Sequence, residues 1–210
     1  LEGVGRLTPE RVPPSPEGYL RVLNPLTREQ EYMRQTLMNA ALETTAANLR
    51  FVERVAIFEI AHIYLLRDGN VPEEPRRLSV TLAGPREVRS WLTNAAEGMD
   101  YYDLKGVIET LCDRLGIADA AYAPVEHPTF RPGRAAALTV GGRPAGVLGE
   151  VHPLVAANFD LDCRVCLAEL DLEVLLAAAQ PVRQFTPVSR MPTLKEDLAV
   201  VVDEATPVDA

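Results

Sequence analysis

The sequence has few lysines, few cysteines and no long apolar run, and each shortage excludes a class of protein. Only Lys105 and Lys195 are lysines, and the 210 residues carry a formal charge of −9. This balance argues against a general nucleic-acid surface, because such surfaces neutralise phosphates with a basic face. No apolar stretch approaches the ~20 residues of a membrane-spanning helix, and no signal-peptide pattern is visible in the given sequence. Three cysteines cannot form an even set of disulfides, which favours a reducing cytoplasm.

What is present is a globular composition. Apolar residues make up 47% of the chain, and 21 Lys+Arg less two lysines leaves 19 arginines. This apolar content predicts a packed domain that folds without disulfide or metal support. The chain begins without Met and ends soon after a strand signal at residues 198–202. We therefore expect a piece of a longer polypeptide, with an irregular, proline-rich lead-in at residues 1–21.

The first helix has two competing starts. Residues 27–30 have the form of a capping box and would begin a helix over 29–50. Asn39 could instead cap a shorter helix over 40–50, with residues 33–37 extended before it. The local rules leave both open.

Other elements have clearer signals. Helical spacing of Leu104, Val107, Ile108, Leu111 and Leu115 predicts a helix over residues 100–115, between the N-cap Asp100 and Gly116. Gly141-Gly142 between two apolar runs predicts a tight hairpin. Strands are expected at 54–66, 77–83 and 165–170, a turn at 68–70, and short helices at 153–158 and 172–179. Strands and helices do not alternate, so we predict an α+β fold with a mostly antiparallel sheet.

Two patterns could carry metal or acid–base chemistry. Cys163 and Cys166 have the spacing of half a zinc site, but no second pair of ligands is visible, which favours structural cysteines. Glu126-His127 and the pair Glu150 and His152 could act as acid–base pairs. Each histidine stands directly before a proline at a strand edge, so turn histidines are the commoner outcome.

Four charged residues form a candidate pocket: Glu59, Arg131, Arg134 and Glu150. The two arginines bracket Pro132-Gly133, and such a rigid pair could bind a carboxylate or phosphate bidentately. Alternation places Glu59 opposite Phe58 on its strand, where it could pair with a cross-strand arginine such as Arg77. Gly146 and Gly149 lack the rest of a dinucleotide loop and more plausibly let another backbone approach closely.

An ordered series of motifs resembles the core of the β chain of bacterial phenylalanyl-tRNA synthetase. In order, these motifs are Asn24-Pro25-Leu26, Met33-Arg34, Phe58-Glu59-Ile60, Tyr102-Asp103-Leu104-Lys105-Gly106, Arg131-Pro132-Gly133-Arg134-Ala135, Leu148-Gly149-Glu150-Val151-His152-Pro153, Glu169-Leu170-Asp171-Leu172, Pro187-Val188-Ser189-Arg190-Met191-Pro192 and Asp197-Leu198-Ala199-Val200-Val201-Val202. Arg131 stands where the family has His. The resemblance implies a class II synthetase-like core over residues 22–180. It also implies a linker over 181–192 and the truncated start of the anticodon-binding domain over 193–210.

The resemblance also implies a role. The family's β core is catalytic-like but inactive, and the α chain joins phenylalanine to tRNA using ATP and magnesium in a cytoplasmic assembly of two α and two β chains. In this resemblance, active class II sites bind ATP through an Arg-x-Glu motif on a strand. Here the residue two positions before Phe58 is Ala56 and not an arginine. The segment Gly149–His152 also lacks Arg. We therefore expect no catalytic residue, no metal and no cofactor bound by this segment.

The α chain is the partner that the resemblance implies. Its expected contact region, residues 39–64, also favours the shorter first helix. The candidate contact residues are Arg34, Leu42, Thr45, Leu49 and Phe58. An uncovered contact patch could also pair two copies of the chain. The alternative to this role is a ligand-binding or RNA-binding module built around the four charged residues.

Overall fold

The computed structural model describes residues 1–27, 31–67, 71–87, 90–91, 97–180, 182, 191, 194–199 and 201. It contains a 3-10 turn at Pro16–Gly18 and the following elements: α1 (Glu2–Gly5), α2 (Met38–Leu49), β1 (Val55–His62), β2 (Arg76–Ala83), α3 (Tyr101–Leu115), β3 (Ala120–Pro124), β4 (Phe130–Val140), β5 (Arg143–Val151), α4 (Pro153–Asn158), β6 (Val165–Asp171) and α5 (Leu172–Ala178).

The strands form one six-stranded sheet in the order β1-β2-β6-β5-β4-β3. Every neighbouring pair is antiparallel, which confirms the predicted α+β class. The hairpin between β4 and β5 turns at Gly141 and Gly142, whose φ angles of 56° and 71° are readily adopted by glycine. Strands β1 and β3 lie at the two edges.

Each face of the sheet has its own core. On one face, α3 and α5 pack with Leu104, Ile108 and Leu175 against the sheet. On the other face, α2, α4 and the N-terminal residues pack around Leu42 and Val155. Where the strands are regular, side chains alternate between these faces, so a residue's position in its strand decides which core it joins; the alternation is interrupted where the β4–β5 register shifts.

Helix α2 follows the shorter of the two predicted helices, but Asn39 does not cap it. The helix begins at Met38, and the Thr36 hydroxyl accepts a hydrogen bond from the Met38 N–H at 3.1 Å. The Glu169 carboxylate accepts the Leu37 N–H at 2.6 Å. A long-range contact therefore sets this helix start, which local capping rules could not find. Residues 28–30 of the competing capping box lie outside the described residues.

Both predicted caps of helix α3, Asp100 and Gly116, are confirmed. Asp100 accepts hydrogen bonds from the Tyr102 and Asp103 N–H groups, and Asp103 accepts the Asp100 N–H. Gly116 ends the helix with φ of 72°. A hydrogen bond from Arg86 lowers the pKa of Asp103, so its carboxylate form is favoured in this cap.

Two parts of the chain differ from the predictions. The lead-in is not wholly irregular, since it contains α1 and the 3-10 turn, and β3 has no counterpart among the predicted strands. Its sequence, Ala-Ala-Tyr-Ala-Pro, lacks β-branched residues and is a strand because β4 lies beside it. The predicted turn at 68–70 and most of the linker at 181–192 lie outside the described residues, as do residues 200 and 202 of the predicted strand at 198–202; the described residues 198, 199 and 201 do not lie in a strand.

Candidate functional site

A row of polar side chains crosses the sheet on the α2 and α4 face. The strand register aligns Glu59 of β1 with Ser79 of β2, and Ser79 with Glu169 of β6. Val147 of β5 continues the line beside Glu169. We call Glu59, Ser79 and Glu169 the polar row. Because partners in register point to the same face, these three side chains share one side of the sheet.

Gly146 allows β5 and β6 to lie close together beside the polar row. A Cβ atom on Gly146 would lie 2.3 Å from the Glu169 main-chain oxygen, and its φ of 146° is one that side-chain-bearing residues rarely adopt. This confirms the prediction that the glycine serves a close backbone approach.

Arg34 occupies the β1 end of the row. Its Nη1 lies 3.2 Å from Glu59 Oε1, and its Nε donates to the His62 main-chain oxygen at 2.9 Å. The predicted pairing of Glu59 with Arg77 is wrong, since register aligns Ala61 with Arg77, whose guanidinium pairs with Asp171. The sequence could not reveal that Arg34, 25 residues away, folds across the strand.

The chain itself also occupies the β6 end of the row. Glu169 Oε2 accepts the Thr36 hydroxyl at 2.7 Å and the Leu37 N–H at 2.6 Å. Each glutamate of the row is thus bound by the segment that leads into α2. Beside the row on β2, the buried Thr81 hydroxyl has no hydrogen-bond partner within the described part of the chain.

Of the four predicted pocket residues, the structure brings Arg131 and Glu150 together but not the other two. Glu59 of β1 points to the same face of the sheet as Val147 of β5. Glu150 lies three residues after Val147 on β5, so its side chain points to the opposite face. Glu150 is buried and lies 3.2 Å from Arg131 and 3.6 Å from Arg164. The Glu150 carboxylate offsets the positive charge of these two arginines at the edge of the α3 core.

Arg134 lies in a separate place from its predicted partners. It lines a cavity of about 410 Å³ with Tyr101, Tyr102 and Tyr122. Burial raises the pKa of Tyr122, and its hydroxyl has no partner among the described residues. The predicted pocket is therefore wrong as a single site, because the irregular backbone between Phe130 and Ala135 separates the two arginines in a way that spacing cannot show.

The histidines next to prolines have local backbone roles. His127 Nδ1 accepts the Thr129 N–H at 3.3 Å, and His152 Nδ1 accepts the Leu154 N–H at 3.2 Å at the start of α4. Burial lowers the pKa of His127. These contacts support the interpretation of turn histidines.

The cysteines occupy different environments. Cys112 and Cys166 are buried and Cys163 is exposed, and burial raises the pKa of Cys166 to about 12. In the ranges that the structure describes, no group of three or more His, Cys, Asp or Glu side chains could hold a metal ion. No helix among the same residues is long and apolar enough to cross a membrane.

The five residues expected to contact a partner do not share one surface. Leu42 and Thr45 are fully buried in the α2 core, so these two expectations are corrected: neither has surface left for a partner. Leu49 is partly buried on the same side, and Arg34 bonds to Glu59. Phe58 differs, since 73% of it is exposed on the opposite face of β1.

Phe58 belongs to a groove that the sequence did not reveal. The α3 and α5 helices do not cover β1 on this face of the sheet. A groove of about 420 Å³ remains, lined by residues of β1, β2 and the two helices. We call it the apolar groove; its lining includes Phe58, Ile60, Val107, Leu111, Leu115 and Leu176. The helical spacing assigned Val107 to a buried face, yet it is half exposed. Periodicity predicts which side of a helix is apolar, but not how far the packed core extends.

The sequence comparisons give a consistent family. The family described as "Phenylalanyl tRNA synthetase beta chain CLM domain" matches residues 11–172. A phenylalanine–tRNA ligase beta subunit of Dehalococcoides mccartyi is 38% identical over 187 residues, which is 89% of this chain and 23% of that protein. One from Moorella thermoacetica is 39% identical over 193 residues, 91% of this chain and 24% of that protein. The chain thus spans about a quarter of the length of these relatives.

The fold comparison agrees at the level of architecture. A pyrrolysyl-tRNA synthetase structure, PylSc of Desulfitobacterium hafniense, matches with a TM-score of 0.60 and 14% identity, over 83% of this chain and 57% of that one. This likeness shows a class II synthetase-like fold. With the family match over residues 11–172, the conclusion is that this chain belongs to the CLM-domain family of phenylalanyl-tRNA synthetase β chains.

Proposed function

We propose that this chain is a non-catalytic core of a phenylalanine–tRNA ligase β chain. In this proposal an α chain performs the reaction with ATP, magnesium and tRNA in the cytoplasm, within an assembly of two α and two β chains. The observation that carries the inactive role is the occupancy of the polar row. Arg34 binds Glu59, and Thr36 and Leu37 bind Glu169, so the carboxylates of this sheet face are engaged by the chain's own residues.

The electrostatics of the row support the same role. A triphosphate is bound by cationic groups and preorganised donors aimed at its oxygens. The row instead carries two carboxylates, and Arg34, the cation beside it, is paired with one of them. A bound ATP would therefore meet negative charge at this face.

A pyrophosphate exchange assay tests the inactive role. We expect no phenylalanine-dependent exchange by the chain alone, and exchange by the α chain assembled with a full-length β chain. Sustained exchange by this chain alone would refute the proposal. Substituting Glu59→Gln and Glu169→Gln in the assembled enzyme should leave the exchange rate within about twofold, since neither group would touch the reacting atoms.

The apolar groove is our proposed contact surface for the α chain. Phe58 and Ile60 expose 73% and 50% of their surface next to Val107 and Leu176. Contiguous apolar surface of this kind, with an aromatic residue at its centre, is typical of protein interfaces. This proposal keeps Phe58 from the original expectation and replaces the buried Leu42 and Thr45.

Co-purification with the α chain tests the contact. Phe58→Asp in the full-length β chain should weaken α-chain association at least about tenfold, because a charge would enter the centre of the buried patch. Phe51→Asp is the matched control: Phe51 is 89% exposed and is not part of the groove lining. Equal losses for both variants, or no loss for Phe58→Asp, would rule out the groove as the contact surface.

A further inference from the structure

The cavity beside Arg134 has no part in the proposed function. Its volume is about 410 Å³, and it lies between the start of α3, the edge strand β3 and the first half of β4. We call it the tyrosine cleft; its lining includes Tyr101, Tyr102, Tyr122, Pro124, Glu126 and Arg134. Because β1 and β3 are the two edges of the sheet, the tyrosine cleft and the apolar groove lie at opposite edges.

The tyrosine rings are held in place by the chain itself. The Asp100 cap fixes the first turn of α3, which carries Tyr101 and Tyr102, and the centres of these two rings are 5.4 Å apart at an angle of 80°. Tyr122 is held by α3, since Lys105 Nζ lies 4.8 Å from the centre of its ring. Tyr102 nevertheless exposes 69% of its surface. Such a preorganised aromatic surface can bind a partner at a small cost in conformational entropy.

The rim of the tyrosine cleft carries one charge of each sign. The Val125 N–H donates to the Ala135 main-chain oxygen at 3.2 Å, which continues the β3–β4 ladder by one pair and places Glu126 opposite Arg134 one pair further on. Neither charged side chain has a hydrogen-bond or ion-pair partner among the described residues. A small ion of either sign would be repelled by one of the two, so the cleft favours a ligand that is neutral where it meets the tyrosines.

The cleft offers hydrogen-bond donors beside its aromatic rings. Arg134 can only donate, and burial raises the pKa of Tyr101, so the Tyr101 hydroxyl stays protonated. An ordinary peptide laid across the rings would lose the hydrogen bonds of its backbone N–H groups. Proline has no N–H, and a proline-rich segment keeps its carbonyl oxygens free for donors of this kind. Such segments are extended before they bind, and they dock in aromatic-lined grooves.

We propose that the tyrosine cleft binds a proline-rich, extended segment of a partner protein. The proline rings pack on Tyr101 and Tyr102, their carbonyl oxygens accept hydrogen bonds from Arg134, and a basic residue at one end of the segment pairs with Glu126. The site stands on the residues of the cleft and does not rest on the α-chain contact or on the non-catalytic role. Since the cleft and the apolar groove share no lining residue, one chain can bind both partners at once.

Titration of the 210-residue chain with two synthetic peptides tests the cleft. One is an all-proline peptide with an arginine at one end, and the other has alanine in place of every proline. By calorimetry we expect saturable binding of the proline peptide, and binding of the alanine peptide that is at least about tenfold weaker. Backbone amide NMR signals in residues 101–102, 122–126 and 133–136 should shift with the proline peptide, whereas those in residues 56–60 of the apolar groove should not.

Variants assign the binding to individual side chains. Tyr102→Ala should weaken binding of the proline peptide about tenfold, because it removes the most exposed ring of the cleft. Phe51→Ala is the matched control, since Phe51 is an exposed aromatic residue outside the cleft. Glu126→Gln should weaken binding of the arginine-bearing peptide roughly threefold and leave binding of the same peptide without arginine unchanged. All three replaced side chains are exposed, so these variants should fold.

Four results would overturn the proposal. The absence of saturable binding would show that the cleft takes no proline-rich segment, and equal binding of the alanine peptide would show that proline is not what it recognises. Shifts confined to the apolar groove would place the peptide there. Displacement of the peptide by single-stranded RNA would make the cleft a nucleic-acid site. The proposed function fails separately: pyrophosphate exchange by the chain alone would refute the non-catalytic role and leave these titrations unaffected.

Discussion

The two faces of the sheet differ in how completely the chain covers them. On the α2 and α4 face, the segment before α2 binds both glutamates of the polar row, and Glu169 is bound by two donors from 132 and 133 residues away in sequence. On the α3 and α5 face, the helices stop short of β1 and leave Phe58 in solvent. In our proposal, the closed face serves stability and the open face serves association.

The sharpest test of this contrast compares one apolar residue from each face. Leu42→Ala should lower the free energy of unfolding by about 2–5 kcal/mol, because it removes a fully buried side chain and leaves a cavity. Phe58→Ala should change it by no more than about 0.5 kcal/mol, since its ring is mostly exposed. Urea unfolding of the isolated chain measures both. Comparable losses would mean that the groove is already part of the folded core.

The next test targets the closed face at its polar end. Glu169→Ala should cost about 1–3 kcal/mol, because the Thr36 hydroxyl and the Leu37 N–H would lose their acceptor in a partly buried site. Glu173→Ala is the matched control on α5, where the ion pair with Arg76 is exposed, and it should cost clearly less than Glu169→Ala. Urea unfolding with equal losses for both would indicate that Glu169 contributes only a surface pair.

The two faces should also respond to acid in different pH windows. Burial holds the folded pKa of His127 below its usual 6.5, so the unfolded state takes up the proton first. Stability from this residue is therefore complete above about pH 6.5 and declines as pH falls through that value. Charged and titratable residues that line the same cavity are Glu10, Glu126, Arg131 and His152. Urea unfolding between pH 8 and 5 should show a weaker decline in His127→Gln; an unchanged profile would contradict this assignment.

On the open face, Asp103 provides the opposite case. A hydrogen bond from Arg86 lowers its pKa below the usual 3.8, so its contribution is present above that value and is lost as pH falls further. Urea unfolding of Arg86→Met should show less loss of stability below pH 4 than the wild type. A similar loss in both would mean that the Arg86 contact does not set this window.

Features that depend on residues close together in sequence could be predicted, whereas features that depend on residues far apart in sequence could not. The caps of α3, the Gly141-Gly142 hairpin and the antiparallel class depend on neighbours in sequence, and all were predicted. The start of α2 depends on Glu169, and the position of Arg34 depends on β1, so capping and spacing rules missed both. The pocket prediction failed because alternation along β5 places Glu150 on the face opposite Glu59, which becomes visible only once the register is known. The apolar groove was not predicted, because the spacing of apolar residues in a helix does not show how many strands of the sheet that helix covers.

The smallest expected effect concerns the β1 end of the polar row, at the exposed edge of the closed face. Arg34 and Glu59 form an ion pair at the edge strand, with side chains that are 39% and 41% exposed. Exposed pairs of this kind are usually worth about 0.2–1 kcal/mol and weaken with salt. A double-mutant cycle of Arg34→Met and Glu59→Gln should therefore give a coupling energy in that range at low salt, and less at 1 M salt. Arg34→Met alone should cost more than the coupling, since its Nε also binds the His62 main-chain oxygen. A coupling energy above about 2 kcal/mol would contradict this picture of an exposed pair and would indicate an ion pair that is withdrawn from solvent.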